Sequence, residues 1–100
     1  MSITKRVVSI YTEATPNPES MKFVLNKMLF AQSSADFRTA EDAAGVSPLA
    51  TDLFENFDSV QGVFIMNNFV TITKALQEDW IELIPTLREF IRAYVGDEKP

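Results

Sequence analysis

The chain contains no cysteine and no histidine. That pair of absences excludes thiolate and imidazole metal ligation, disulfides, cysteine nucleophiles and imidazole general bases. Ser20, Ser33, Ser34 and Ser47 accordingly have no histidine to activate them. Glycine is scarce, with three in 100 residues, and no Gly-rich loop is present to cradle a phosphate. Positive charge is scarce too. Nine Lys and Arg are scattered among fourteen Asp and Glu, for a net charge of −5. Nucleic acid and anionic membranes are recognised by clustered Lys and Arg, so neither is an expected partner. No stretch approaches the ~18 apolar residues of a membrane span. The opening Met1-Ser2-Ile3-Thr4-Lys5-Arg6 lacks an apolar signal core, which makes a cytoplasmic location the expectation.

What remains is a globular composition. Hydrophobic residues make up 46% of the chain and aromatics 11%, enough for one buried core. The expected organisation is a single domain over 1–96, with 97–100 as a polar tail or the start of a linker.

The most distinctive stretch lies between two strand-like runs. Residues 6–14 are rich in β-branched and aromatic side chains, with Val8, Ile10 and Thr12 on one face and Val7, Ser9, Tyr11 and Glu13 on the other. Met21, Phe23 and Leu25 share a face of the second run. Between them Pro16 and Pro18 each fix their own φ and extend the residue before. Asn17, Glu19 and Ser20 add short polar groups that bond back to the local backbone. A rigid polar loop joining an antiparallel pair follows from this chemistry.

Further along, Met28, Leu29, Phe30 and Ala31 within residues 27–34 are apolar without a clean period, and the stretch turns into a short third strand near 35–38. Thr39 suits an N-cap with Asp42 three residues on, and Gly45 a stop, for a single helical turn. Ser47-Pro48 opens a helix to about 56, with Leu49, Leu53 and Phe57 at helical spacing. Residues 62–74 form the clearest hairpin, turning at Asn67-Asn68. Its register sets Ile65 against Val70 and Val63 against Ile72. Asp79 caps a last helix from Trp80 to about 95, whose stripe runs through Trp80, Leu83, Ile84, Leu87, Phe90, Ile91 and Tyr94. Pro85 lies too deep for the first turn and predicts a kink or loosened start. The fold class is α+β: a mainly antiparallel sheet in β-β-β-α-β-β-α order with helices packed on one face.

Thr12-Glu13-Ala14-Thr15-Pro16-Asn17-Pro18 followed by Ser20-Met21-Lys22-Phe23 resembles the signature of the N-terminal domain of Nfu/NifU-related iron–sulfur proteins. Asp36-Phe37, Ala43, Ser47-Pro48-Leu49-Ala50, Leu53-Phe54, Gly62-Val63, residues 69–74, Asp79-Trp80 and Leu83-Ile84-Pro85 agree in order and spacing. The resemblance implies a role in iron–sulfur cluster assembly or delivery, with the cluster on a separate C-terminal domain bearing Cys-x-x-Cys. This chain cannot supply those thiolates. It is then a stand-alone copy or the first domain of a longer protein, and the linker-like residues 96–100 favour the latter. No catalytic, cofactor or metal residue carries over.

The function so implied is recognition without catalysis by a likewise monomeric chain. Its partner is a cluster-carrying Nfu-type domain or a client apoprotein, and the cofactor sits there rather than here. Candidate contact residues are Thr15, Pro16, Asn17, Pro18, Ser20, Met21, Lys22 and Phe23, with Phe64 and Phe69. The loop is equally well a stiff turn that sets strand register. Phe64, Met66 and Phe69 form an exposed patch, or they are buried because 27–34 folds over them or the sheet is turned the other way, and a small domain's need for apolar burial favours burial. A general adaptor unrelated to iron is the alternative function. A carboxylate metal-dependent enzyme is a minor one, since Glu41, Asp42, Asp52, Glu55 and Asp58 have no diagnostic spacing.

Overall fold

The computed structural model describes residues 9–26 and 29–96, with the backbone alone described at 30–33 and 96. Among the described residues five strands and three helices follow in order: β1 Ile10–Ala14, β2 Ser20–Leu25, β3 Phe30–Phe37, α1 Ala40–Ala43, α2 Pro48–Asn56, β4 Val60–Asn67, β5 Phe69–Lys74 and α3 Trp80–Gly96. The sheet is antiparallel throughout, in the order β1-β2-β5-β4-β3. The α+β class holds, with one short helix more than the expected β-β-β-α-β-β-α order.

The alternation in each strand decides which face is buried. Phe23 and Leu25 of β2, Val63 and Ile65 of β4, Val70 and Ile72 of β5 and Phe37 of β3 point to one side. Leu49, Ala50 and Leu53 of α2 and Leu87, Ile91 and Val95 of α3 close over them in a single core. Phe57 and Phe90 meet edge to face at 5.1 Å, joining the end of α2 to the middle of α3. Aromatic pairs favour this geometry because the ring edge is positive and its face negative.

The caps form as the sequence chemistry requires. Thr39 Oγ1 accepts from the Asp42 amide, Ser47 Oγ from the Ala50 amide and Asp79 Oδ1 from the Ile81 amide. Each satisfies an amide that the helix itself leaves without an acceptor. Gly45 takes φ +79°, a left-handed conformation that carries the chain from α1 to α2. In the β4–β5 turn Asn67 takes φ 52°, and the register sets Val63 against Ile72 and Ile65 against Val70.

One expectation is corrected. The third strand begins at Phe30 rather than near residue 35, because it pairs along β4 across a register shift between Phe30 and Ser34 that breaks the sequence alternation. Helix α3 runs unbroken through Pro85. Pro85 lies on the exposed side, and the carbonyl it cannot serve is that of Ile81, a residue itself 80% exposed. The expectations for Val7 and Val8, for Lys27 and Met28, and for the tail 97–100 fall outside the described residues.

Candidate interaction surface

The loop between β1 and β2 is built by its own side chains. Thr15 Oγ1 donates to the Asn17 carbonyl at 2.9 Å and accepts from the Asn17 amide at 3.1 Å. Asn17 Oδ1 takes the Glu19 amide at 3.0 Å, and the Asn17 carbonyl takes the Ser20 amide at 2.9 Å. These are local turns of the kind Asn and Thr favour, set between two fixed proline φ angles. Two bonds then tie the loop to the body. The Lys74 amide donates to the Glu19 carbonyl at 2.8 Å, and the Trp80 indole N–H to the Pro18 carbonyl at 3.0 Å. Pro16, Asn17 and Pro18 remain exposed on this braced frame.

Beside the loop lies the sheet face opposite the core. Pairing across all five strands aligns its side chains in rows. The first row runs Tyr11, Val24, Phe69, Met66 and Ser34, and the second Glu13, Lys22, Thr71, Phe64 and Asp36. Tyr11 is 58% and Met66 39% exposed, whereas Phe64 and Phe69 are half-buried with ring centroids 6.2 Å apart. The Lys22 ammonium stands 4.2 Å from the Phe69 ring centre and 3.7 Å from Glu13 Oε1. Asp36 and Arg38 pair at 3.4 Å near the other edge. A shallow groove of about 380 Å³ crosses the lower end of this face, between Asn17, Arg38, Gln61, Phe64, Thr71 and Thr73. Its lining is mostly hydroxyl, amide and charged groups, and Ser20 Oγ bonds Thr73 Oγ1 at 2.9 Å beside it.

The expected contact residues separate accordingly. Thr15, Pro16, Asn17, Pro18, Lys22, Phe64 and Phe69 lie on the loop and the open sheet face. Phe23 is fully buried in the core and Met21 is half-buried on the helix side, while Ser20 is 8% exposed. Alternation alone sends Phe23 inward, since it shares a face with Leu25. The expectation that Phe64, Met66 and Phe69 are buried is corrected: all three stand on the face opposite the core, Met66 exposed and Phe64 and Phe69 half-buried. From Phe30 onward the stretch 27–34 is an edge strand lying beside β4, and the core is filled from the other face. Trp80, read from the sequence as part of the helix stripe, also braces the loop, and a spacing of 62 residues leaves no local signal for that bond. Among the described residues no three Asp or Glu side chains come close enough to hold a metal ion, and no helix is long and apolar enough to cross a membrane.

Residues 10–98 match the family model described as "Scaffold protein Nfu/NifU N terminal". NifU-like protein 4, mitochondrial, of Arabidopsis thaliana is 34% identical over 96 residues, covering 96% of this chain and 33% of that protein. The NFU1 iron-sulfur cluster scaffold homolog, mitochondrial, of Homo sapiens is 38% identical over 96 residues, covering 95% of this chain and 37% of that protein. The chain thus spans about a third of the length of these curated relatives. A solution NMR structure of a NifU-like protein from Saccharomyces cerevisiae shares the fold, with a TM-score of 0.81 at 23% identity over 98% of this chain and 87% of that one.

Proposed function

The chain belongs to the Nfu/NifU N-terminal scaffold family, and on that premise we propose that it is a non-catalytic protein-interaction module in iron–sulfur cluster assembly or delivery. The observation that carries this reading is a family fold with no cysteine and no histidine. Iron–sulfur clusters are held chiefly by thiolates. The oxygen and amine donors of this chain do not fit that ligation, so the cluster is cargo on a separate cluster-binding domain or on a client apoprotein. The braced loop supports the same reading, because a surface already ordered loses little entropy on binding. The chain acts as a monomer and its site of action is the cytoplasm. The curated relatives are described as mitochondrial, so fractionation of the source cells decides that last point.

Two measurements test the proposal. Purified chain incubated with iron and sulfide under reducing, anaerobic conditions is expected to gain no stoichiometric visible chromophore; a stable one on the monomer overturns it. Titration of the isotope-labelled chain with a Cys-x-x-Cys Nfu domain is expected to shift amides of Thr15, Asn17, Lys22, Phe64 and Phe69. No shift at molar excess leaves the general adaptor as the better description.

A further inference from the structure

The sheet has two edges, and they are unlike. β3 carries a register shift between Phe30 and Ser34, and irregularity of this kind discourages a further strand from pairing. β1 has none: its five residues pair with β2 in continuous register from Ile10–Leu25 to Ala14–Met21. It also lacks the proline or lysine that usually blunts an edge.

The polarity of that edge follows from the ladder. The Asn26 amide bonds the Ser9 carbonyl at 3.2 Å. In an antiparallel ladder hydrogen-bonded pairs alternate, so Tyr11 and Glu13 bond inward to Val24 and Lys22. The N–H and C=O groups of Ile10, Thr12 and Ala14 therefore point away from β2. Among the described residues no strand lies on that side.

We infer that β1 is a strand-addition site for an extended partner segment carrying an apolar residue and, two positions away, a Lys or Arg. Backbone groups of Ile10, Thr12 and Ala14 supply the ladder. Tyr11 and Glu13 then occupy the non-bonded positions, where facing side chains lie closest. Tyr11, 58% exposed, begins the apolar row that continues through Val24 and Phe69, and an apolar neighbour extends that row by one strand. Glu13 is half exposed, with Lys22 on its inner side. A cation on its outer side places the carboxylate between two positive charges, whereas an acidic residue there meets a chain of net charge −5. Edge addition of this type derives affinity from the main chain and specificity from alternate side chains. The inference rests on the proposed role as an interaction module and names a mode and surface of contact for it.

The test uses the full chain and a capped seven-residue synthetic peptide of alternating valines with one leucine and one lysine two positions apart. Binding is expected to slow hydrogen exchange at the Ile10, Thr12 and Ala14 amides. Thr12→Pro removes one outward N–H while leaving the bonds to β2, and is expected to weaken binding about tenfold. Glu13→Lys is expected to reverse the preference between this peptide and one with glutamate for lysine, by up to about fivefold. Protection elsewhere, pairing of β1 with a second copy of the chain, or no binding at millimolar peptide each overturn the inference. The peptide carries no cluster and no Cys-x-x-Cys domain, so its failure leaves the outcome of that titration standing.

Discussion

The indole N–H of Trp80 donates to the carbonyl of Pro18 at 3.0 Å, and the ring lies 6.4 Å from that of Phe23. One side chain thus holds the first turn of α3 against both the loop and the strand that follows it. Lys74 adds its ammonium 5.8 Å from the Trp80 ring and its amide to Glu19. The loop is therefore positioned from outside as well as stiffened from within.

Replacing Trp80 separates these contributions. Trp80→Phe keeps a ring beside Phe23 and loses the bond to Pro18, which costs about 1 kcal/mol. Trp80→Ala also loses the packing and costs about 3 kcal/mol. Denaturant titration measures both. Amide exchange at Glu19 and Ser20 should quicken in Trp80→Phe relative to the core strands. Unchanged exchange there would show that the internal Thr15 and Asn17 bonds hold the loop alone.

Local chemistry makes much of this fold legible in the sequence. Caps at Thr39, Ser47 and Asp79 and the Asn67-Asn68 turn each involve residues within four positions, where side-chain preference acts directly. The family signature made the loop stand out. Long-range placement was less legible. Phe23 sits inside the motif, so its membership in a signature masked the alternation that buries it. The start of β3 is set by pairing with β4 across a shift, which no period in residues 27–34 records. The Trp80–Pro18 bond depends on how α3 lies across the sheet, and a stripe of apolar residues fixes only the helix face, not its neighbours.

The two caps that begin α1 and α2 should differ in weight. Ser47 is buried, and its hydroxyl serves a buried Ala50 amide at 3.1 Å. Thr39 serves the Asp42 amide from an exposed position, where water replaces a lost acceptor. Ser47→Ala should cost about 2 kcal/mol and Thr39→Ala about 0.5 kcal/mol. Equal losses in thermal or denaturant unfolding would contradict the role assigned to burial.

The core and the exposed side of α3 offer a sharper contrast. Ile91 is fully buried between helix and sheet, whereas Ile81 is 80% exposed ten residues earlier on the same helix. Ile91→Ala removes packed methyl groups and should cost about 3 kcal/mol. Ile81→Ala should stay within about 0.5 kcal/mol of the parent. A large loss at Ile81 would mean that this side chain is covered in solution.

Lys22 has two neighbours, the Glu13 carboxylate at 3.7 Å and the Phe69 ring at 4.2 Å. An exposed ion pair contributes less than about 1 kcal/mol and is screened by salt. A cation over an aromatic face at an exposed site contributes a similar amount. In a double-mutant cycle of Lys22→Met with Glu13→Gln, the coupling should shrink between low salt and 1 M salt. Coupling between Lys22→Met and Phe69→Leu should persist, since it needs only close contact with the ring. Loss of both couplings together would assign all of the Lys22 effect to charge screening.

Pro85 is the one residue in α3 whose backbone opposes the helix it occupies. Its missing N–H removes the i to i−4 bond to the Ile81 carbonyl, and proline in a helix interior is disfavoured by about 3 kcal/mol relative to alanine. Against this, proline lowers the entropy of the unfolded chain, a gain of up to about 1 kcal/mol that the substitution forfeits. Pro85→Ala should therefore stabilise the chain by about 2 kcal/mol, raising the denaturation midpoint with the slope unchanged. Pro85 is exposed, so no core packing is lost with the ring. If the variant is instead less stable, Pro85 must set the entry angle of α3, and the Trp80–Pro18 bond should loosen in the same variant, visible as faster exchange at Glu19.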